Sequence, residues 1–275
     1  MLRPLTLAAL LTASLLSAPP VRAEEPAALP REEIEKIVRE YLMREPEVIY
    51  DAIQVLQERR QVAERERQRT MIVARAPALF ENADDPVAGN PDGDVTLVEF
   101  FDYRCGYCRS MVAGLRDLIA TDGNLRFVFK ELPVLGPESE VAARAALAAA
   151  MQDHDKYTKL HFALMGSKDL SLDAVKALAG QVGLDVPRLL ADMDGASVKR
   201  VLAANHALAQ ELGINGTPSF VIGDRLIPGA VDVSQLAALI DEQRRAGSGA
   251  GRKAGRGRAA ARPRRADPGR AAWHD

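Results

Sequence analysis

One junction constrains the chain more than any other feature. Val95 to Phe101 is a near-continuous apolar run rich in β-branched and aromatic residues, the pattern of a buried strand. It passes through Asp102-Tyr103-Arg104 into Cys105-Gly106-Tyr107-Cys108, and from Ser110 to Ile119 the apolar spacing becomes helical. Two thiols therefore stand where a strand becomes a helix. A helix N-terminus carries unpaired N–H groups and about half a positive charge, so a thiol in its first turn is favoured as thiolate, the form that attacks a disulfide. Cys105 gains most from that position. Cys108, one turn further in, is placed to close a short-loop disulfide with Cys105 or to resolve a mixed disulfide formed on it. Arg104 and Arg109 add positive charge on either side.

Cys105 and Cys108 are the only cysteines among 275 residues. How they are read depends on the N-terminus. Met1 to Ala23 combines Arg3, an apolar run from Leu5 to Leu16 and short residues before Glu24, which is the pattern of a cleaved secretory signal. No other stretch reaches the roughly eighteen apolar residues of a membrane span. In an exported protein a single close cysteine pair is a working pair more readily than a structural staple. Zinc would need two further ligands, and the histidines supply them poorly. His154 and His161 are about 10.5 Å apart along a helix, too far to share an ion, and His206 and His274 stand alone. Neither a metal nor an organic cofactor is expected.

Charge is near neutral overall but unevenly spread. Residues 1–23 hold two basic and no acidic residues, and residues 244–275 hold ten basic and two acidic, which leaves 24 basic against 36 acidic residues in 24–243. Residues 246–275 are mainly Gly, Ala, Arg and Pro, a composition that cannot bury a core and predicts a disordered basic tail. An exported chain meets little nucleic acid, so none is expected as a partner.

Ahead of the junction, Ile34, Ile37, Val38, Tyr41 and Leu42 recur at helical spacing between Pro30 and Pro46, and a second apolar stripe follows through Val48, Ile49, Ile53 and Leu56. Two such short helices cannot bury both stripes in each other, so residues 24–56 need the main domain or another copy of themselves. Residues 57–81 begin almost wholly charged or polar and are expected to form a helical linker, long enough if helical to hold the stripes away from the main domain. Turn residues fill Asn82 to Asp94. After the helix of the junction, Leu125 to Leu132 reads as a strand, and Glu138 to Leu212 as a series of helices. Ser219 to Ile222 and Arg225 to Gly229 form a hairpin about Gly223-Asp224, and a last helix runs from Ser234 to about Arg244. Strand, helix, strand, helical block, hairpin and helix make an α/β layout with a large helical insertion, placed at 82–245.

Cys105-Gly106-Tyr107-Cys108 after an apolar strand, a helical insertion, and Gly216-Thr217-Pro218-Ser219-Phe220-Val221 before the terminal hairpin together resemble the thioredoxin-fold periplasmic oxidoreductases of the DsbA type. Ile34 to Gln57, with Tyr41-Leu42 and Pro46-Glu47-Val48-Ile49, is similar to the N-terminal region of suppressor-of-copper-sensitivity protein C relatives, some of which oligomerise through it.

The resemblance implies a thioredoxin fold and a redox-active disulfide between Cys105 and Cys108. It implies that Pro218 follows a cis peptide bond, and that Thr217, Pro218, Gly106 and Tyr107 meet an extended substrate segment. It further implies that Glu99, six residues before Cys105, and Lys130 lie together beneath the disulfide and help move the proton of the inner thiol. For Glu99 there is an independent case, because a carboxyl in a low-dielectric strand has a raised pKa and accepts protons near neutral pH. The expected partners are unfolded or misfolded exported proteins, a membrane redox partner, and further copies of the chain bound through residues 31–56. A periplasmic thiol–disulfide oxidoreductase, acting as an oligomeric disulfide isomerase as much as an oxidase, is the leading expectation. The alternative is a Cu(I)-binding protein of copper tolerance using the same two soft thiolates.

Overall fold

The computed structural model describes residues 29–259, with side chains described to 247. The expected leader, residues 1–23, and residues 260–275 of the expected tail lie outside the described residues. The chain divides into two compact units, one ending at Arg59 and the other beginning at Arg60.

In the first unit α1 (Arg31–Arg44) follows Pro30, whose carbonyl accepts the N–H groups of Glu33 and Ile34. Glu32 and Glu33 in its first turn and Arg44 in its last complement the helix dipole. α2 (Glu47–Ala74) starts directly after Pro46 and continues past Arg59, so its C-terminal half belongs to the second unit. The stripes read from the sequence form, but no residue of α1 is buried, and Ile34, Ile37, Val38, Tyr41, Ile49, Ile53 and Leu56 are each 43–51% exposed.

In the second unit a five-stranded sheet is ordered β1-β3-β2-β4-β5, from β1 (Val87–Gly89), β2 (Val95–Phe101), β3 (Leu125–Glu131), β4 (Ser219–Ile222) and β5 (Arg225–Pro228). β2 and β3 run parallel, joined by α4 (Gly106–Thr121), and the remaining pairs are antiparallel. The helical insertion comprises α5 (Pro137–Ala150), α6 (His154–Gly166), α7 (Leu172–Gln181), α8 (Val186–Met193) and α9 (Ala196–Glu211). α10 starts at Val233, and its Val233 side chain lies so close to Gly114 of α4 that a Cβ on that glycine would sit 2.6 Å from it.

The central strands are buried on both faces, which explains their unbroken apolar runs. Leu97, Phe101, Phe127, Phe129 and Phe220 pack under α4 and the insertion, whereas Val98, Phe100, Val128 and Val221 pack under Ile72, Leu79, Leu208 and Leu212. This second layer corrects two sequence boundaries. The 57–81 segment is helical, as α2 and α3 (Ala76–Phe80), but its end is not a free linker. Once the polar run stops at Thr70, Ile72 and Leu79 cover the sheet at 1% and 0% exposure, so the domain starts packing well before residue 82. At the other end the backbone of α10 stays helical to Ala259, past the expected onset of disorder at 246, in a segment where the good helix formers Ala and Arg alternate with Gly. Among the described residues no helix is long and apolar enough to cross a membrane.

Lys130 also belongs to this second layer. Its ammonium is buried, ion-paired with the buried Asp85 and hydrogen-bonded to the carbonyl of Ala78 in α3 at 2.7 Å. Burial pushes the lysine pKa down and the aspartate pKa up, and each partner's charge opposes that shift. Lys130→Met should therefore destabilise the fold by about 3–5 kcal/mol, because it strands a buried carboxylate, and Asp85→Leu added to it should recover part of the loss. Urea unfolding of the single and double variants measures this, and equal stability of the single variant and wild type would refute it.

Candidate active site

β2 delivers its chain end to the site, and one carboxylate fixes the loop beyond it. Asp102, buried directly after β2, accepts hydrogen bonds from the Arg104 N–H (2.6 Å), the Val134 and Leu135 N–H groups (2.8 and 3.0 Å) and the Ser139 hydroxyl (2.7 Å), while its backbone carbonyl accepts from Cys105 N–H at 3.1 Å. The loop after β2 is thereby tied to the loop after β3 and to the start of α5. Arg109 adds a bond from its Nε to the Tyr103 carbonyl at 2.7 Å.

Cys105 is the N-cap of α4, and its Sγ accepts the Cys108 N–H at 3.4 Å, the capping geometry that a helix start offers an anion. Both cysteines are free thiols. The Cys105 thiol donates to the Thr217 carbonyl at 3.1 Å, and the Thr217–Pro218 bond is cis. Thr217 and the dithiol, 112 residues apart in sequence, are thus brought together. Gly106 is exposed with no atom within 4 Å of the place a Cβ would occupy, and Tyr107 is 70% exposed. Val134 and Leu135, held by Asp102, stand 47% and 45% exposed on the neighbouring loop. The mouth of the site is open, apolar at its rim and lined by backbone polar groups.

Beneath it lies Glu99, 2% exposed on the α4 side of the sheet, where burial alone raises its pKa from 4.5 to about 8. Cys108 is 1% exposed; burial first, and then the Glu99 charge, push its thiol well above the ordinary range. A thiol this reluctant to ionise needs a nearby base in order to attack, and Glu99 is a carboxyl whose proton affinity suits that exchange near neutral pH. Lys130 is not part of it. In the parallel register Glu99 faces Phe129, so Lys130, one residue on, points to the opposite face. The expected Glu99–Lys130 pair does not form.

Sequence reading missed several residues. Asp102 has a signal, an acid closing an apolar strand just before the Cys pair. Glu131 carries the same signal that singled out Glu99, a charge inside an apolar run. It is 1% exposed, and its Oε1 accepts the hydroxyls of Tyr103 (2.9 Å) and Tyr157 (3.2 Å). Tyr103 Oη is also 3.1 Å from Nδ1 of His161, a buried histidine whose pKa falls to about 3 through burial. No sequence pattern links residues 103, 131, 157 and 161. Among the described residues no group of three or more His, Cys, Asp or Glu side chains could hold a metal ion.

A dithiol with one sulfur capped at a helix start and the other buried over a carboxyl defines a class, and the family comparison agrees with it. Residues 96–241, more than half of the chain, match the DSBA-like thioredoxin domain, and the chain belongs to that family of thiol–disulfide oxidoreductases. Residues 31–63 match the copper resistance protein ScsC N-terminal domain.

Among solved structures the chain is similar to a thioredoxin-like oxidoreductase from Silicibacter pomeroyi, at 48% identity and TM-score 0.59, over 62% of this chain and 97% of that one. It is likewise similar to the catalytic domain of Proteus mirabilis ScsC, at 30% identity and TM-score 0.60, over 64% and 98%. Among curated proteins, the Na(+)/H(+) antiporter NhaA of Herminiimonas arsenicoxydans is 33% identical over 177 residues, 62% of this chain but 28% of that protein, so the chain spans little more than a quarter of that relative's length.

The buried Glu99 makes stability depend on pH in a defined direction. Its folded-state pKa lies above the unfolded value, so its favourable contribution is complete below about pH 4.5 and is lost as pH rises through about 8. Glu99→Gln should match wild-type stability at pH 4 and exceed it at pH 9 by up to about 5 kcal/mol. Denaturant unfolding at the two pH values tests this; a difference that does not grow with pH would show that Glu99 stays neutral throughout.

Proposed function

We propose that the chain is an exported, periplasmic thiol–disulfide oxidoreductase that exchanges disulfides with unfolded or misfolded proteins. The observation that carries this reading is the pairing of a helix-capping Cys105, in contact with the Thr217 carbonyl, with a Cys108 buried over Glu99. Cys105 exchanges with the substrate sulfur. Cys108 then gives its proton to the Glu99 carboxylate and attacks the Cys105 sulfur; the Cys105–Cys108 bond forms, the bond to substrate breaks, and the substrate leaves as thiolate. Thr217, Pro218, Gly106 and Tyr107 frame the substrate strand, with Val134 and Leu135 offering apolar contact. Such a site accepts backbone and apolar side chains, in keeping with partly folded substrates. The expected leader and the periplasmic relatives of DsbA and ScsC type support the location, and resetting of the dithiol falls to a membrane redox partner.

The N-terminal unit supports an oligomeric form of the enzyme. Its apolar residues stay about half exposed in the single chain, and burying about four Leu, Ile or Val side chains per copy would contribute on the order of 6–12 kcal/mol before entropy. Several dithiols on one assembly raise the local concentration around a single misfolded substrate, which favours shuffling of its disulfides over donation of one.

Cys108→Ser should accumulate mixed disulfides through Cys105 when offered a disulfide-bearing peptide, and Cys105→Ser should not. Equal trapping by both would mean that the attacking sulfur is misassigned. Deleting residues 24–59, up to the division between the units, should reduce the mass in solution to that of one copy and slow refolding of a scrambled-disulfide substrate about tenfold or more, with peptide exchange retained. A monomeric full-length protein, or undiminished isomerisation after deletion, would leave a simple oxidoreductase.

A further inference from the structure

The exchange reaction leaves a second buried carboxyl without a role. Glu131 ends β3 opposite Phe101, while Glu99 lies opposite Phe129, so the two carboxyls leave the same face of neighbouring parallel strands, staggered by two residues. Both are at most 2% exposed. Among the described residues the groups facing them include no paired cation. The loop after β2 contributes Tyr103 and Asp102, the latter already accepting four hydrogen bonds. α4 contributes Cys108, and its Arg109 is directed to the backbone oxygen of Tyr103. α6 contributes Tyr157 and His161, and α9 contributes Asn205, whose amide donates to the Glu131 carbonyl at 3.2 Å. Lys130 is on the far side of the sheet with Asp85.

Glu131 itself is asymmetric. Both phenol hydroxyls converge on Oε1, and Oε2 is buried with no hydrogen-bond partner. A carboxylate needs donors at both oxygens, so this cradle suits a group that is neutral most of the time. Burial first, and after it the charges of Asp102 and Glu99, raise the Glu131 pKa against the two phenol hydrogen bonds that lower it, and two like charges on one buried face are not sustained together.

We propose that Glu99 and Glu131 hold at most one negative charge between them beneath the dithiol, Glu99 being the one that ionises in the intact site and Glu131 taking that role only where Glu99 is replaced by a neutral residue. The proposal rests on the thiol-exchange reading of the site. In the resolving step the Cys108 S–H bond breaks and an O–H bond forms on Glu99. The Cys108 sulfur displaces the substrate sulfur from Cys105: Cys108 is oxidised, the substrate sulfur is reduced and leaves as thiolate, and Cys105 passes from the mixed to the internal disulfide. Glu131 touches neither sulfur; it is a positioning residue that acts through Glu99. By staying protonated it places no like charge beside Glu99 and leaves Glu99 the carboxyl that ionises and receives the Cys108 proton.

The test is a carboxyl titration of the full-length dithiol protein carrying 13C-labelled glutamate, alongside rates of mixed-disulfide resolution. In wild type one buried glutamate should titrate near pH 8 and the other remain protonated well above it. In Glu99→Gln the Glu131 titration should move down by about one pH unit or more, a tenfold change in proton affinity. Glu131→Gln, which keeps a neutral group and an oxygen for the two tyrosines, should leave the Glu99 titration where it is in wild type, whereas adding it to Glu99→Gln should slow mixed-disulfide resolution by that variant a further threefold or more, by roughly the non-additivity of coupled neighbours. A Glu131 titration unmoved by Glu99→Gln, both glutamates titrating together in wild type, or the same slowing by Glu131→Gln in both backgrounds would overturn the proposal. If no form of the protein exchanges disulfides, the exchange reading fails, and the titrations still decide whether the two carboxyls hold at most one charge between them.

Discussion

The reactive loop is held by a single buried carboxylate. Asp102 gathers donors from its own loop, from the loop after β3 and from the first turn of α5, and its backbone carbonyl takes the Cys105 N–H. A buried charge without those four donors would be costly, so the loops that supply them are bound to the geometry of the cysteines. The apolar rim formed by Val134 and Leu135 is therefore positioned by the same group that seats the dithiol. Rim, loop and helix start behave as one piece of structure.

The pleat then sorts the polar residues of the central strands into two populations. On one face Lys130 and Asp85 form an ion pair and fasten α3 to the sheet; on the other, Glu99 and Glu131 have no cation partner among the described residues and meet thiol, phenol and imidazole instead. The first arrangement ties a layer of the fold to the sheet, and the second places two carboxyls of raised proton affinity on the dithiol side of the sheet. Adjacent residues of one strand, Lys130 and Glu131, thus serve opposite ends.

Much of this architecture is legible in the sequence because it is local. The strand from Val95 to Phe101, the Cys pair at its end, the insertion and the hairpin all announce themselves through periodicity and turn residues, and the site cysteines follow from the strand-to-helix junction. Thr217 came from resemblance to a family, since no local signal reports a contact over 112 residues. The pairing of Glu99 with Lys130 failed for want of register. Strands buried on both faces lack the apolar–polar alternation that would show which side each residue takes, so parity had to come from the β2–β3 pairing. The boundary near residue 82 slipped for a related reason: Met71, Ile72, Leu79 and Phe80 are too few to form a recognisable stripe, yet they suffice to cap one face of the sheet.

The contact between the Cys105 thiol and the Thr217 carbonyl exists only while that sulfur carries a hydrogen. Once the sulfur is a thiolate or is joined to another sulfur, it has nothing to donate, and the carbonyl loses that partner. An arriving polypeptide with a free backbone N–H can fill the lone pair that the thiol has given up. On the proposed exchange reading, affinity for an extended chain is weakest while Cys105 is a thiol and rises once that sulfur is a thiolate or disulfide-bonded. One oxygen atom of the backbone in this way registers the redox state of the neighbouring sulfur.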